Sequence, residues 1–126
     1  MLIYKNKWFH RWAKSEGLPE KALCEAAQQM AAGLFEADLG GGLLKKRVAR
    51  AGQGKSGGFR TLVATNRGER WVFVFGFPKN ARSNIDKDEQ EALKKLAGHL
   101  MGLSSVEMQS AVQAGGLIEV NCDEKD

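Results

Sequence analysis

Apolar residues recur along this chain of 126 residues in two alternating rhythms. Leu2-Ile3-Tyr4 reads as a short opening strand. Trp8, Phe9 and Trp12 then space large rings for a short helix, and they read as core anchors more readily than as a platform for stacking bases. Leu18-Pro19-Glu20 marks the start of a second helix, with proline at the first helical position. Leu23, Ala26, Ala27, Met30 and Leu34 follow at helical spacing and define one buried face. Gly40-Gly41-Gly42 is expected to end that helix in a flexible turn.

The middle of the chain changes to strand rhythm. Leu43 to Arg50 predicts a strand with a basic edge, and Gly52 to Gly58 predicts a glycine-rich loop. Phe59 to Thr65 predicts the next strand, and Asn66-Arg67-Gly68-Glu69 a turn. Arg70 to Phe77 is apolar at Trp71, Val72, Phe73, Val74 and Phe75, the pattern of a central strand covered on both faces. The short turn makes it an antiparallel hairpin with the strand before it. After a polar loop from Pro78 to Ile85, Asp86 and Glu89 form a capping-box-like start to a helix lined by Leu93, Leu96, Ala97, Leu100 and Met101. Ser104 and Glu107 repeat that signal before a shorter helix. Leu117 to Val120 predicts a last strand, and 121–126 a frayed tail. The whole reads as one α+β domain over 1–126, with a small, mostly antiparallel sheet packed on one side by helices and basic residues on the other face.

The net charge of +4 conceals a strong asymmetry. Between Leu43 and Arg82 stand ten basic residues and a single acid, Glu69. A one-signed block of this kind marks either a solvated face or the docking surface for an acidic partner such as nucleic acid. Cys24 and Cys122 lie far apart without CxxC spacing, and so low a cysteine count favours a reducing compartment. The charged amino terminus is unlike a signal peptide, and no stretch approaches the ~18 apolar residues of a membrane span. The chain therefore reads as cytoplasmic and complete.

Familiar catalytic sites find little support. The two histidines, His10 and His99, fall in different predicted helices, and with two scattered cysteines they offer no metal-ligand spacing. No cofactor is expected. The run GQGKSGG superficially resembles a phosphate loop, but the GxxxxGK[ST] spacing fails and a strand follows it. Its glycines serve either a plain hairpin loop or a turn that brings backbone amides near a phosphate. The remaining constellation is basic: Lys45, Lys46, Arg47, Lys55, Arg60, Lys79 and Arg82 on strands or loops of one sheet. Metal-free RNA cleavage by the 2′-hydroxyl needs a base, cations at the phosphate and an acid at the leaving oxygen. Arginine offers a charged fork for phosphate oxygens, and a lysine crowded by other cations can serve as the base.

Two runs carry a resemblance. Lys46-Arg47-Val48-Ala49 followed by Gly54-Lys55-Ser56-Gly57-Gly58-Phe59-Arg60 resembles the GKSGGxR signature of RelE/HigB-type toxins. Phe75 to Ile85 is similar to that family's second signature, an aromatic strand ending in a basic loop before a helix. The resemblance covers Leu2 to about Met101. The resemblance implies a compact RelE-like microbial RNase fold and a toxin that cuts mRNA on the ribosome. It also implies restraint by a cognate antitoxin, commonly a helix-turn-helix DNA-binding protein. It assigns catalysis to Lys46, Arg60 and Arg82, and RNA binding to Lys45, Arg47, Arg50, Lys55, Lys79 and Asn80. Many relatives carry a tyrosine or histidine near the end of the basic loop, where Asn84-Ile85-Asp86 holds neither. Asn80 stands where well-known relatives have an arginine, and Asp86 serves as a helix cap or in the site. A gyrase-targeting toxin of the related ParE kind and a catalytically degenerate RNA- or ribosome-binding module are the alternatives.

Overall fold

A computed structural model describes residues 1–50 and 54–122, with only the backbone described for 54–56. The order is β1 (Leu2–Asn6), α1 (Lys7–Glu16), α2 (Glu20–Ala31), β2 (Ala37–Gly40), β3 (Leu43–Arg50), β4 (Gly54–Thr65), β5 (Arg70–Pro78), α3 (Lys87–Gly102), α4 (Ser105–Gln113) and β6 (Leu117–Glu119). The strands form one sheet in the order β2-β3-β4-β5-β1-β6. Only the β1–β5 pair is parallel. This is an α+β fold with a mostly antiparallel open sheet, consistent with a RelE-like architecture.

Helices cover both faces of the sheet, where the sequence suggested one. Phe9 and Ala13 of α1 and Leu23, Ala26, Ala27 and Met30 of α2 pack on Leu44, Val48, Phe59, Val63 and Phe73. Ala97 and Leu100 of α3 and Met108 of α4 pack on Leu43, Leu62, Ala64, Val72 and Val74. Strand side chains alternate between faces, so β3, β4 and β5 feed both cores. The double coverage follows from apolar residues on both faces of β4 as well as β5. The first face also depends on Gly76, because a Cβ there would lie 2.4 Å from the Trp12 ring. Of the three early rings, Phe9 is buried and Trp12 half-buried, while Trp8 is exposed and stacks between Trp12 and Phe75.

The second helix is shorter than its apolar spacing suggested. It ends at Ala31, and Gly33 turns the chain with a left-handed φ of 92°. Leu34 is 60% exposed instead of completing the helical face. The freed segment forms β2, which the sequence reading missed, and the glycine triplet makes the β2–β3 turn. Ala-Asp-Leu-Gly has no β-branched residue to signal a strand. The glycine-rich segment also differs: β4 begins at Gly54, inside what read as loop. Both capping boxes form as read, Asp86 with Glu89 and Ser104 with Glu107.

Cys24 of α2 and Cys122 are joined by a disulfide across 98 positions, with Cα atoms 5.8 Å apart. The bond fastens the segment after β6 to the first core, where Val120 is also buried. A formed disulfide sits at odds with the reducing compartment inferred from cysteine count. No described helix is long and apolar enough to cross a membrane.

Candidate nucleic-acid interface

The basic residues of β3 do not act together, because neighbours on a strand point to opposite faces. Arg47 lies directly across from Arg60 in the β3–β4 register, so these two arginines share the α3 face. Lys45, two residues earlier, shares it too. Lys46 lies across from Thr61 and occupies the α2 face, between Leu44 and Val48 of the first core.

Each cation has a distinct environment. Arg60 is nearly buried, with 9% of its side chain exposed. Its Nη1 donates to the Ser83 carbonyl at 3.2 Å. Its Nε lies 3.1 Å from Glu36 Oε1, yet the angle is too poor for a hydrogen bond. Lys45 Nζ donates to Asn84 Oδ1 at 3.2 Å. Arg82 donates through Nε to the Asn84 carbonyl, forks onto both oxygens of Glu89, and lies over the Phe77 ring at 5.4 Å. Hydrogen bonding to Glu89 raises the Arg82 pKa, and the same contact, aided by the Asp86 amide, lowers that of Glu89. Arg82 therefore braces the loop from β5 to α3. The loop is also tied by the Lys79 amide, which donates to the Gly58 carbonyl at 3.0 Å.

Arg47 is exposed, Lys79 half-exposed, and neither side chain has a polar partner among the described residues. Both border, with Arg60, a cleft of about 340 Å³ that reaches round from this face to α2, where Ala22, Glu25, Ala26 and Gln29 form its far wall. Val48, Ala49, Gly58 and Phe59 complete it. Two free cations beside a buried, oriented guanidinium make an anion-binding surface with arginine forks available to phosphate oxygens.

The structure does not bring every predicted residue to this cleft. Lys46 is buried, donates through Nζ to the Leu34 carbonyl at 3.0 Å, and has its pKa lowered by that burial. Arg50 belongs to the same face as Lys46: it lies 4.6 Å over the Phe59 ring and binds the Gly57 carbonyl and Glu16. Asn80 is exposed on the loop after β5. The side chain of Lys55 lies outside the described residues. Asp86 is a helix cap, accepting from the Glu89 amide at 2.8 Å. Sequence reasoning missed Glu36 altogether and read Glu89 only as a capping residue. Glu36, just before β2, meets Arg60 of β4 across the intervening β3 and 24 positions of sequence, for which the local sequence has no signal.

A family model for the RelE toxin of the RelE/RelB toxin-antitoxin system matches residues 1–120. The chain belongs to the RelE toxin family. No curated protein sequence matches it significantly. As a RelE toxin it is the toxin partner of a toxin-antitoxin pair, and a cognate antitoxin is its expected counterpart. The two signature runs that carried the resemblance contribute Arg60 and Lys79 to the cleft lining.

Proposed function

We propose that this RelE toxin is a ribosome-dependent endoribonuclease that cuts messenger RNA by attack of a 2′-hydroxyl on the adjacent phosphate, without a metal. The observation that carries the reading is the pairing of Arg47 with Arg60 across β3 and β4, with Lys79 bordering the same cleft. Arg60 is held by Ser83 and walled by protein, so its charge is pre-oriented toward the developing pentacoordinate phosphate. Arg47 and Lys79, free at the rim, attract the RNA backbone, a contribution that weakens with salt. Lys45 and Arg82 act by shaping the loop over the cleft. The site of action is the cytoplasm, where ribosomes are, and the antitoxin restrains the toxin by covering the cationic cleft. Such antitoxins commonly carry a helix-turn-helix.

The test is mRNA integrity in a translating cell-free extract, with native protein against folded Arg60→Ala. Codon-phased cuts that vanish in the variant are the expected result. One observation favours a second reading, a non-catalytic ribosome binder: Arg60 and Arg82 each face a carboxylate of the toxin itself. Blocked translation without cuts would establish that alternative. Unaffected translation would redirect the search to a gyrase-type target.

A further inference from the structure

We propose that Glu36 takes the proton from the attacking 2′-hydroxyl, an assignment that rests on the nuclease reading above. The reaction needs an acceptor beside the phosphate, and the cleft's cations are poorly suited to it. Arginine has no acceptor atom. A lysine becomes a base only where burial or crowding favours its neutral form. Burial does this to Lys46, but Lys46 points away from Arg60 and is tied to the Leu34 carbonyl. His10 lies on α1 and His99 on the last turn of α3, and among the described residues neither makes a contact with Arg60.

Among the nearby carboxylates, Glu89 has both oxygens engaged by Arg82 and one also holds the Asp86 amide. Glu25 lines the α2 wall with no ion pair to the arginines. Glu36 differs. Its Oε1 lies 3.1 Å from Arg60 Nε, its side chain is 29% exposed, and among the described residues no hydrogen bond holds either oxygen. It also borders the surface next to Arg47. A phosphate gripped by Arg60 brings its neighbouring 2′-oxygen to within about 3.5 Å of phosphorus. A carboxylate in contact with the same guanidinium is then within reach of that hydroxyl.

The step balances as a transesterification. The 2′-oxygen bonds to phosphorus as its proton passes to Glu36. The bond from phosphorus to the 5′-oxygen breaks, and the departing oxygen takes a proton from water. The products are a 2′,3′-cyclic phosphate and a 5′-hydroxyl end.

The experiment is single-turnover cleavage of end-labelled mRNA on programmed ribosomes near neutral pH. It compares native protein, Glu36→Gln and Glu36→Asp, with ribosome co-sedimentation measured alongside. Glu36→Gln is expected to cut at least ~100-fold more slowly, with unchanged ribosome binding. Glu36→Asp should cut at an intermediate rate. Glu36→Gln cutting as fast as native protein or faster would overturn the assignment and make the carboxylate an occupant that phosphate displaces. Slow cutting by Glu36→Asp and Glu36→Gln alike, with ribosome binding weakened in both, would also overturn it. If the native protein makes no cut, the nuclease reading fails and this assignment with it; if native cuts persist while Glu36→Gln is unaffected, only the assignment fails.

Discussion

Lys46 and Arg47 are adjacent in sequence and have opposite fates. Lys46 is buried against the end of α2, with its ammonium spent on a backbone carbonyl and its charged form disfavoured by burial. Arg47 is exposed across from Arg60, with its guanidinium open to an incoming anion. The same split separates Arg50, stacked on Phe59, from Lys45, linked to the loop above the cleft. A basic run on a strand is therefore two populations with different tasks. One fastens the helical layer beneath the sheet, and the other faces the ligand.

The sharpest way to break this comparison is to substitute the two neighbours separately. Arg47→Ala is expected to reduce mRNA cleavage at limiting toxin by about 10-fold and to weaken its salt dependence, as loss of one phosphate-binding cation does. Lys46→Met, which fills a similar volume, is expected to leave cleavage within a few-fold of native. Rates of end-labelled mRNA cutting check both, and equal losses would dissolve the distinction between the faces.

Stability separates the faces next. The α2 face has a covalent fastening, and Cys122→Ser is expected to lower unfolding free energy by about 3 kcal/mol in urea denaturation, given the long loop that the bond closes. Cleavage by the folded variant should persist, because neither cysteine lines the cationic cleft. The α3 face relies on caps. Asp86→Ala removes the oxygen that holds the Glu89 amide and should cost about 1 kcal/mol by thermal or urea melting.

The smallest expected effect is in pH. Glu89 has a folded pKa depressed chiefly by Arg82 and then by the Asp86 amide. Its contribution is complete above the usual carboxylate range and is lost as pH falls through the depressed folded value. Glu89→Gln should flatten this part of the acid limb of stability, measured by urea midpoints against pH. The pair is exposed, so the change is expected to be slight and to shrink with salt.

Much of the architecture was legible because it rests on local rules. The Arg70 to Phe77 run announced a doubly covered strand, and the Asp86–Glu89 and Ser104–Glu107 spacings located two helix starts. The β2 strand was hidden because Leu34 continued a helical spacing by coincidence, while pairing with β3 alone makes Ala37 to Gly40 extended. The candidate site was legible in composition but not in arrangement. Charge density located Arg47, Arg60 and Lys79 in one block, whereas the face each one takes depends on the β3–β4 register. That register also sent Lys46 and Arg50 away from Arg60. Glu36 and the Cys24–Cys122 bond are non-local contacts, set by packing between distant segments rather than by their neighbours in sequence.

The most direct test of the two-faced hairpin is cut-site mapping on programmed ribosomes with native protein, Arg47→Ala and Lys46→Met side by side, each verified as folded. Codon-phased cuts by the native protein and Lys46→Met, with loss in Arg47→Ala, are the predicted result. Cuts that survive Arg47→Ala but vanish in Lys46→Met would contradict the account and make Lys46, not Arg47, the cation that serves the reaction.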